Sequence, residues 1–159
     1  MKKILIPLLG TAIFIIAVGL LTKGNLVKDI QNTKTQTNTK TIKVADKLLS
    51  VEVADTDSER QKGLGGKLIL GQDQGMLFVF DQAQAYHSFW MKDMKFAIDI
   101  IWISNNKIVQ IDKDAKAEPG VSDQNLKRYI SKVPVDLVLE VNSGFCDKNS
   151  IKVGDTITP

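Results

Sequence analysis

Residues 4–21 read ILIPLLGTAIFIIAVGLL, eighteen positions with no charge and Thr11 as the only polar side chain. As a helix the run would extend roughly 27 Å at about 1.5 Å per residue, against a hydrocarbon core about 30 Å thick. It reads as one N-terminal transmembrane helix. Lys2 and Lys3 precede it, which places the N-terminus in the cytoplasm and everything after residue 21 outside the membrane. Ala17, Val18 and Gly19 would also serve as a small-x-small cleavage site, so secretion after cleavage is the alternative. The apolar run is longer than a signal-peptide core of about 7–15 residues and continues past that site, which favours an uncleaved anchor.

The anchor changes how charge is read. The whole chain has 21 basic and 18 acidic side chains, a net +3. Six lysines and one acid, Asp29, fall in residues 1–41, which therefore carry +5. The remaining 15 basic and 17 acidic residues leave residues 42–159 at −2. The basic surplus belongs to the membrane-proximal end, and the rest of the chain has no basic stripe that would address nucleic acid. Residues 22–41, TKGNLVKDIQNTKTQTNTKT, lack hydrophobic periodicity and read as a disordered tether. A flexible coil of that length has a mean reach of roughly 25 Å.

From Ile42 onward the pattern is one of short strands. Ile42 and Val44 alternate with Lys43, and Leu49, Val51 and Val53 alternate with Ser50 and Glu52. Thr56 with Glu59 forms a capping box for a short helix reaching about Leu64, where three nearby glycines stop it. Residues 76–80 are apolar on both faces, as a central strand is. Residues 96–103 set Phe96, Ile98, Ile100 and Trp102 on one face and Asp99 among Ala97, Ile101 and Ile103 on the other. Asn105 and Asn106 suit a two-residue hairpin, with residues 107–112 returning. Residues 114–134 read as an irregular excursion with one helical turn near 126–130. Strands at 136–141 and 156–158 complete the chain, with a loop or single helical turn at 142–150. Some seven strands and one capped helix predict a mainly β single domain, a β-sandwich or barrel, over residues 42–159.

An ordered set of short motifs then carries a resemblance. Glu59 and Arg60 are followed by Gly63 and Leu64, then by GMLFVF at 75–80 and FWMK at 89–92. IDII at 98–101, Leu139 with Glu140, and Gly154 with Asp155 complete the set. Residues 42–159 resemble domain-of-unknown-function family 192, also called uncharacterised protein family 0127. The resemblance implies a compact, jelly-roll-like β-sandwich in an exported or membrane-anchored protein, and it brings no activity with it. This chain departs from the family pattern at Gly65, Gly66 and Lys67, at Asp93 and Met94, and at Ala97 and Ile98.

Arg60, Trp90, Lys92, Asp93, Asp99 and Glu140 form the candidate ligand-binding or structural polar cluster. Asp99 and Glu140 each interrupt an apolar strand. A buried carboxylate is costly unless paired, so Asp99 or Glu140 is expected to pair with Arg60 or Lys92. Trp90, with Tyr86 and Phe89, offers surfaces that stack on a flat ligand or pack in the core. His87 is the only histidine, which excludes a multi-histidine zinc site within one chain. Cys146 is the only cysteine, so no internal disulfide forms. Residues 63–67 do not have phosphate-loop spacing, and Asp112, Asp114 and Glu118 lack the glycine and third carboxylate of a calcium loop. No cofactor, metal or catalytic set is expected. The sequence leaves the biochemical role unknown. It points to an extracytoplasmic binding or envelope-associated module, with the bilayer as partner through residues 4–21 and an envelope glycan, peptide or protein as a further one. The alternative is a small hydrolase or transferase that acts on envelope glycan or peptide through a carboxylate pair.

Overall fold

The structure, a computed structural model, describes residues 38–82 and 84–158. The anchor or signal segment and most of the tether lie outside them. No helix among the described residues is long and apolar enough to cross a membrane. In chain order the elements are β1 (Thr39–Val44), β2 (Lys47–Ala54), α1 (Asp57–Lys62), β3 (Gln74–Val79), β4 (Ser88–Phe89), β5 (Ile98–Ser104), β6 (Lys107–Ala115), β7 (Tyr129–Ile130), β8 (Leu137–Asn142), α2 (Phe145–Lys148) and β9 (Ile157–Thr158).

Seven strands make one sheet in the order β6-β5-β8-β3-β2-β1-β9, and β4 pairs with β7 in a separate ribbon. Neighbours run antiparallel except β2 and β3, whose parallel pairing requires the crossover that α1 begins. The two end strands meet at one corner. Lys107 bridges Thr156, Ile108 N–H donates to the Asp155 carbonyl at 2.9 Å, and Ile157 N–H donates to the Asn106 carbonyl at 2.8 Å. The sheet is therefore a curled half-barrel. Of the expected sandwich or barrel, the sandwich of two stacked sheets is corrected to one curled seven-stranded sheet beside a two-stranded ribbon, because strands from both halves of the chain interleave by hydrogen bonding.

Side-chain alternation sends the strand residues to two separate cores. Inside the curl lie Ile42, Val44, Leu49, Val51, Leu77, Ile101, Ile103, Ile108, Leu139, Val141 and Ile157, drawn from all seven strands, with Phe145 and Cys146 of α2 closing one end. On the outer face Met76, Phe78, Ile98, Ile100, Trp102 and Val138 are covered by loop residues Leu64, Met91, Met94 and Val135 and by Tyr129 of β7. Residues 98–103 are consequently buried without interruption, as their apolar character on both faces requires.

Local signals explain most elements. Thr56 Oγ1 accepts from Glu59 N–H at 3.3 Å, and Glu59 Oε2 accepts from Thr56 N–H at 3.1 Å, so the capping box is formed. Asn105 and Asn106 both adopt positive φ, 51° and 60°, the geometry of a two-residue hairpin. Three expectations are revised. The return strand runs to Ala115, not 112. The region near 126–130 has no helical turn; its end is β7, recruited by β4 through Ser88–Ile130 and Phe89–Tyr129 pairing. Residues 39–41, read as tether, belong to β1, because β2 supplies a continuous edge for them from Glu52 to Ser50.

Candidate functional site

The site is assembled on the outer face of the sheet by one clamp. Arg60, at the end of α1, donates from Nη1 to the carbonyls of Asp55 and Val79, both at 2.7 Å, and from Nη2 to Asp57 at 2.6 Å and Asp81 at 3.0 Å. Its guanidinium thereby fastens the start of α1 to the end of β3. The chain leaves α1 through Gly63, at φ 50° and ψ −139°. A Cβ there would stand 3.3 Å from the Phe78 ring and 4.0 Å from Glu140 Oε2. Glycine is required because the backbone passes directly over these two side chains in a left-handed conformation.

The opposite wall comes from the segment around β4. His87 stacks on Phe80 with centroids 3.5 Å apart, and Phe89 meets Phe78 edge-on at 4.8 Å and Trp102 at 5.5 Å. Arg128 lies over Trp90 at 3.8 Å from its ring centroid. His87 N–H donates to Ser131 Oγ at 3.0 Å and Ser131 N–H donates to the His87 carbonyl at 3.1 Å, which holds this segment to the ribbon. A cavity of about 140 Å³ lies between the walls, lined among others by Arg60, Gly63, Phe78, Phe89, Trp90 and Glu140. A second hollow of about 330 Å³ adjoins it and shares Gln61, Lys62, Gly65, Trp90 and Lys92, adding Ser58 and Asp93.

Glu140 is the floor of the first cavity. It sits mid-strand in β8, opposite Met76 on one side and Ile100 on the other, and is 5% exposed. Among the described residues its carboxyl has neither an ion-pair nor a hydrogen-bond partner, and burial alone pushes its pKa up to about 8. Glu140 is therefore mostly a neutral acid at pH 7, a group with an unused donor and acceptor facing a cavity. His87 also lines the cavity. Its Nε2 is buried without a partner, and burial, followed by the charge of Arg60, holds its pKa below the usual histidine value.

The six residues singled out in the sequence divide. Arg60, Trp90, Lys92 and Glu140 line one cavity, and Asp93 lies at the adjoining hollow. Asp99 is elsewhere. It is opposite Val141 where Ile100 is opposite Glu140, so the pleat sends the two carboxylates to opposite faces of the sheet. Asp99 accepts backbone N–H groups from Asp114 (3.0 Å), Gly144 (3.3 Å) and Cys146 (3.0 Å). It ties the end of β6 to α2 and serves the fold. The expected pairing of Asp99 or Glu140 with Arg60 or Lys92 is corrected: Arg60 pairs with Asp57 and Asp81, and Lys92 with Asp123.

The other singled-out groups also part company. Cys146 is buried inside the curl, and burial followed by the neighbouring Asp99 pushes its thiol up to about 12, so it is not a reactive thiol. It lies on the other side of the sheet from His87. Asp112 accepts from Trp102 and Gln110, Asp114 from Lys116 and Ser143, and Glu118 from Lys127 N–H, so these acids do not converge on a calcium site. Sequence reasoning noted His87 and Phe89 without joining them to the polar cluster, and it missed Phe78 and Phe80 as walls. Phe78 and Phe80 share parity with Met76, which marks their face, but no local pattern foretells the His87 stack.

The fold and site define a small, mainly β domain with a partnerless acid at the floor of a loop-covered cavity. The chain belongs to the family DUF192, described as Uncharacterized ACR, whose model matches residues 33–159. It is similar to a crystal structure from Sinorhizobium meliloti 1021, described as a proposed transcription regulator. That match has 24% identity and a TM-score of 0.69, covering 79% of this chain and 96% of the other. It is also similar to a protein of unknown function from Novosphingobium aromaticivorans DSM 12444, at 25% identity and a TM-score of 0.67, covering 76% of this chain and 85% of the other. No curated protein sequence matches the chain.

Glu140 binds its proton more tightly in the folded chain than in the unfolded one. Its contribution to stability is thus fully present below pH 4.5 and is lost as pH rises toward about 8. At about 1.36 kcal/mol per unit the full loss is roughly 5 kcal/mol. Glu140→Gln, neutral throughout, removes that decline. Urea denaturation at pH 5, 7 and 8.5 should show the variant gaining on the parent chain as pH rises. Parallel curves would mean that Glu140 has a partner. By contrast, Asp99→Ala strands three amides and should cost about 3 kcal/mol or more at pH 7, with Asp99→Asn costing less. The same denaturation curves measure both.

Proposed function

We propose that this chain is a membrane-anchored, extracytoplasmic binding module that captures a small ligand in the cavity between α1 and β4. Residues 4–21 are the anchor and Lys2 and Lys3 keep the N-terminus in the cytoplasm. The observation that carries the binding reading is the Glu140 carboxyl, buried, without a partner among the described residues, and facing a cavity. A buried polar group without a partner costs about 1–3 kcal/mol, and a ligand that satisfies it recovers that cost. Aromatic walls with a few convergent polar groups are the usual lining of such sites.

Hydrolysis through a pair of carboxylates is not supported, because Asp99 and Glu140 face opposite sides of the sheet. A nucleic-acid role, such as the description of the Sinorhizobium protein suggests for that protein, finds no support in the −2 charge of residues 42–159.

Ligand-observed NMR on the full chain in detergent micelles, with a library of neutral fragments, tests the binding reading. Fragments should bind competitively, and Glu140→Leu should abolish the binding. Fragments that bind equally to the variant, or do not bind at all, would remove this cavity as the site. The anchor is tested separately. The chain should stay with membranes through alkaline carbonate washing, and protease added outside spheroplasts should degrade residues 42–159. Release by carbonate would indicate the cleaved form.

A further inference from the structure

We propose that the cavity takes a primary alkylammonium group, held by the Glu140 carboxylate at its floor with a short alkyl chain against the phenylalanine rings. This deepens the binding reading and rests on it. Glu140 is half of a buried ion pair. It is 5% exposed and, among the described residues, has no hydrogen-bond or ion-pair partner. Its oxygens are open to the cavity. His87 Nε2 is the only side-chain nitrogen or oxygen among the described residues that is both shut off from solvent and unpartnered. His87 therefore takes no part in the contact. An uncompensated buried charge is costly, and a ligand of opposite charge restores the pair.

The cations of the chain leave this role open. Arg60 is engaged by Asp57, Asp81 and two carbonyls, and Lys92 by Asp123. Those acids offset the charge of Arg60 and Lys92 beside the cavity. Lys62, exposed at the end of α1, lines the rim and pairs with no acid among the described residues. The walls suit the same ligand. A Cβ at Gly63 would stand 3.3 Å from the Phe78 ring and 4.0 Å from Glu140 Oε2, so acid and ring border one space. Phe89 meets Phe78 edge-on at 4.8 Å. Aromatic rings attract an ammonium electrostatically and pack against its methylenes. A volume of about 140 Å³ is close to the roughly 150 Å³ of an apolar cavity that holds benzene, so a chain of about four or five carbons fits with its ammonium. The adjoining hollow of about 330 Å³ continues past Trp90 and Asp93 and receives whatever the chain is attached to. An anion would face the Glu140 carboxyl itself.

Tryptophan fluorescence titration of the full chain in neutral detergent micelles tests the assignment, because Trp90 lines the cavity. The probes are n-butylamine and Nα-acetyl-lysine methylamide, which present one ammonium chemistry as a free amine and as a peptide side chain. At least one should bind, with n-butanol and butyrate weaker by at least about tenfold. Tighter binding of the lysine derivative assigns a peptide source, and tighter binding of n-butylamine a free amine; either order supports the proposal. Glu140→Gln keeps the size and polarity of the side chain without its charge. It should bind amines at least about tenfold more weakly, and neutral fragments within about threefold of the parent. Circular dichroism confirms that the variant is folded. Amine affinity should rise at least about fivefold from pH 6.5 to 8 as Glu140 gives up its proton, since an alkylammonium stays charged to about pH 10. Of the other titratable groups lining the cavity, Arg60, Lys62 and Lys92 keep their charge over that range. His87, held below its usual pKa by burial, stays mostly neutral. Equal amine binding by Glu140→Gln would overturn the assignment, and so would an affinity that falls as pH rises. Amine binding to Lys62→Met but not to the parent would overturn it by making Lys62 the partner of Glu140. Failure of both amines while neutral fragments still occupy the cavity would refute the ammonium class and leave the binding reading intact.

Discussion

Everything in this domain depends on the central strands being buried on both faces. Residues 98–103 have no exposed side, and Val138, Leu139, Glu140 and Val141 of the neighbouring strand are also buried. Curling the sheet covers only its inner face. The outer face must be covered by segments that are not strands of the sheet, and these are α1, the Gly63 turn and the stretches on either side of the β4–β7 ribbon. Loops that cover a sheet carry their own polar backbone, and they pack less completely than a second sheet would. The cavity over Glu140 lies at the junction of two such segments.

Arg60 holds one of those segments in place. Its four hydrogen bonds include two to backbone carbonyls, one before α1 and one at the end of β3. A six-residue helix with no buried residue has little packing energy to hold it. The guanidinium replaces packing with geometry, since its planar fork reaches carbonyls and carboxylates together. Arg60 therefore contributes to the site chiefly as a positioning residue. Its hydrogen-bonding capacity is largely committed to the fold, and the group left uncommitted is Glu140.

The sequence foretold much of the fold because the relevant signals are local. The capping box at Thr56 and Glu59, the Asn105–Asn106 turn and the doubly apolar run at 98–103 each depend on neighbours a few residues away. The sheet order was not legible. β8 inserts between β5 and β3 across large sequence separations, and no alternation pattern encodes which apolar strand lies beside which. The β4–β7 ribbon was hidden for the same reason, being two-residue strands that exist only because each finds the other. The site was half legible. Arg60, Trp90, Lys92 and Glu140 do share a cavity, but their pairing was misjudged. The rule that a buried carboxylate seeks a cation holds for net stability, and Glu140 departs from it by taking up a proton.

Asp99 and Glu140 show why residue type alone does not identify a site. Both are acids within apolar strands, both are buried, and their strands are hydrogen-bonded neighbours. Pleat parity separates them. Asp99 points to the face where the end of β6 and the turn into α2 offer three amide hydrogens, so its charge is distributed over fixed dipoles. Glu140 points to the face covered by aromatic side chains and a glycine turn, and among the described residues none of them hydrogen-bonds to it. The first acid stabilises the chain that surrounds it. The second is left with hydrogen-bonding capacity that nothing in the described chain uses, and local rules of foldability are most often broken where a protein has a use for the exception. Where a fold leaves one buried acid satisfied and its neighbour unsatisfied, the unsatisfied one marks the surface on which a ligand completes the structure.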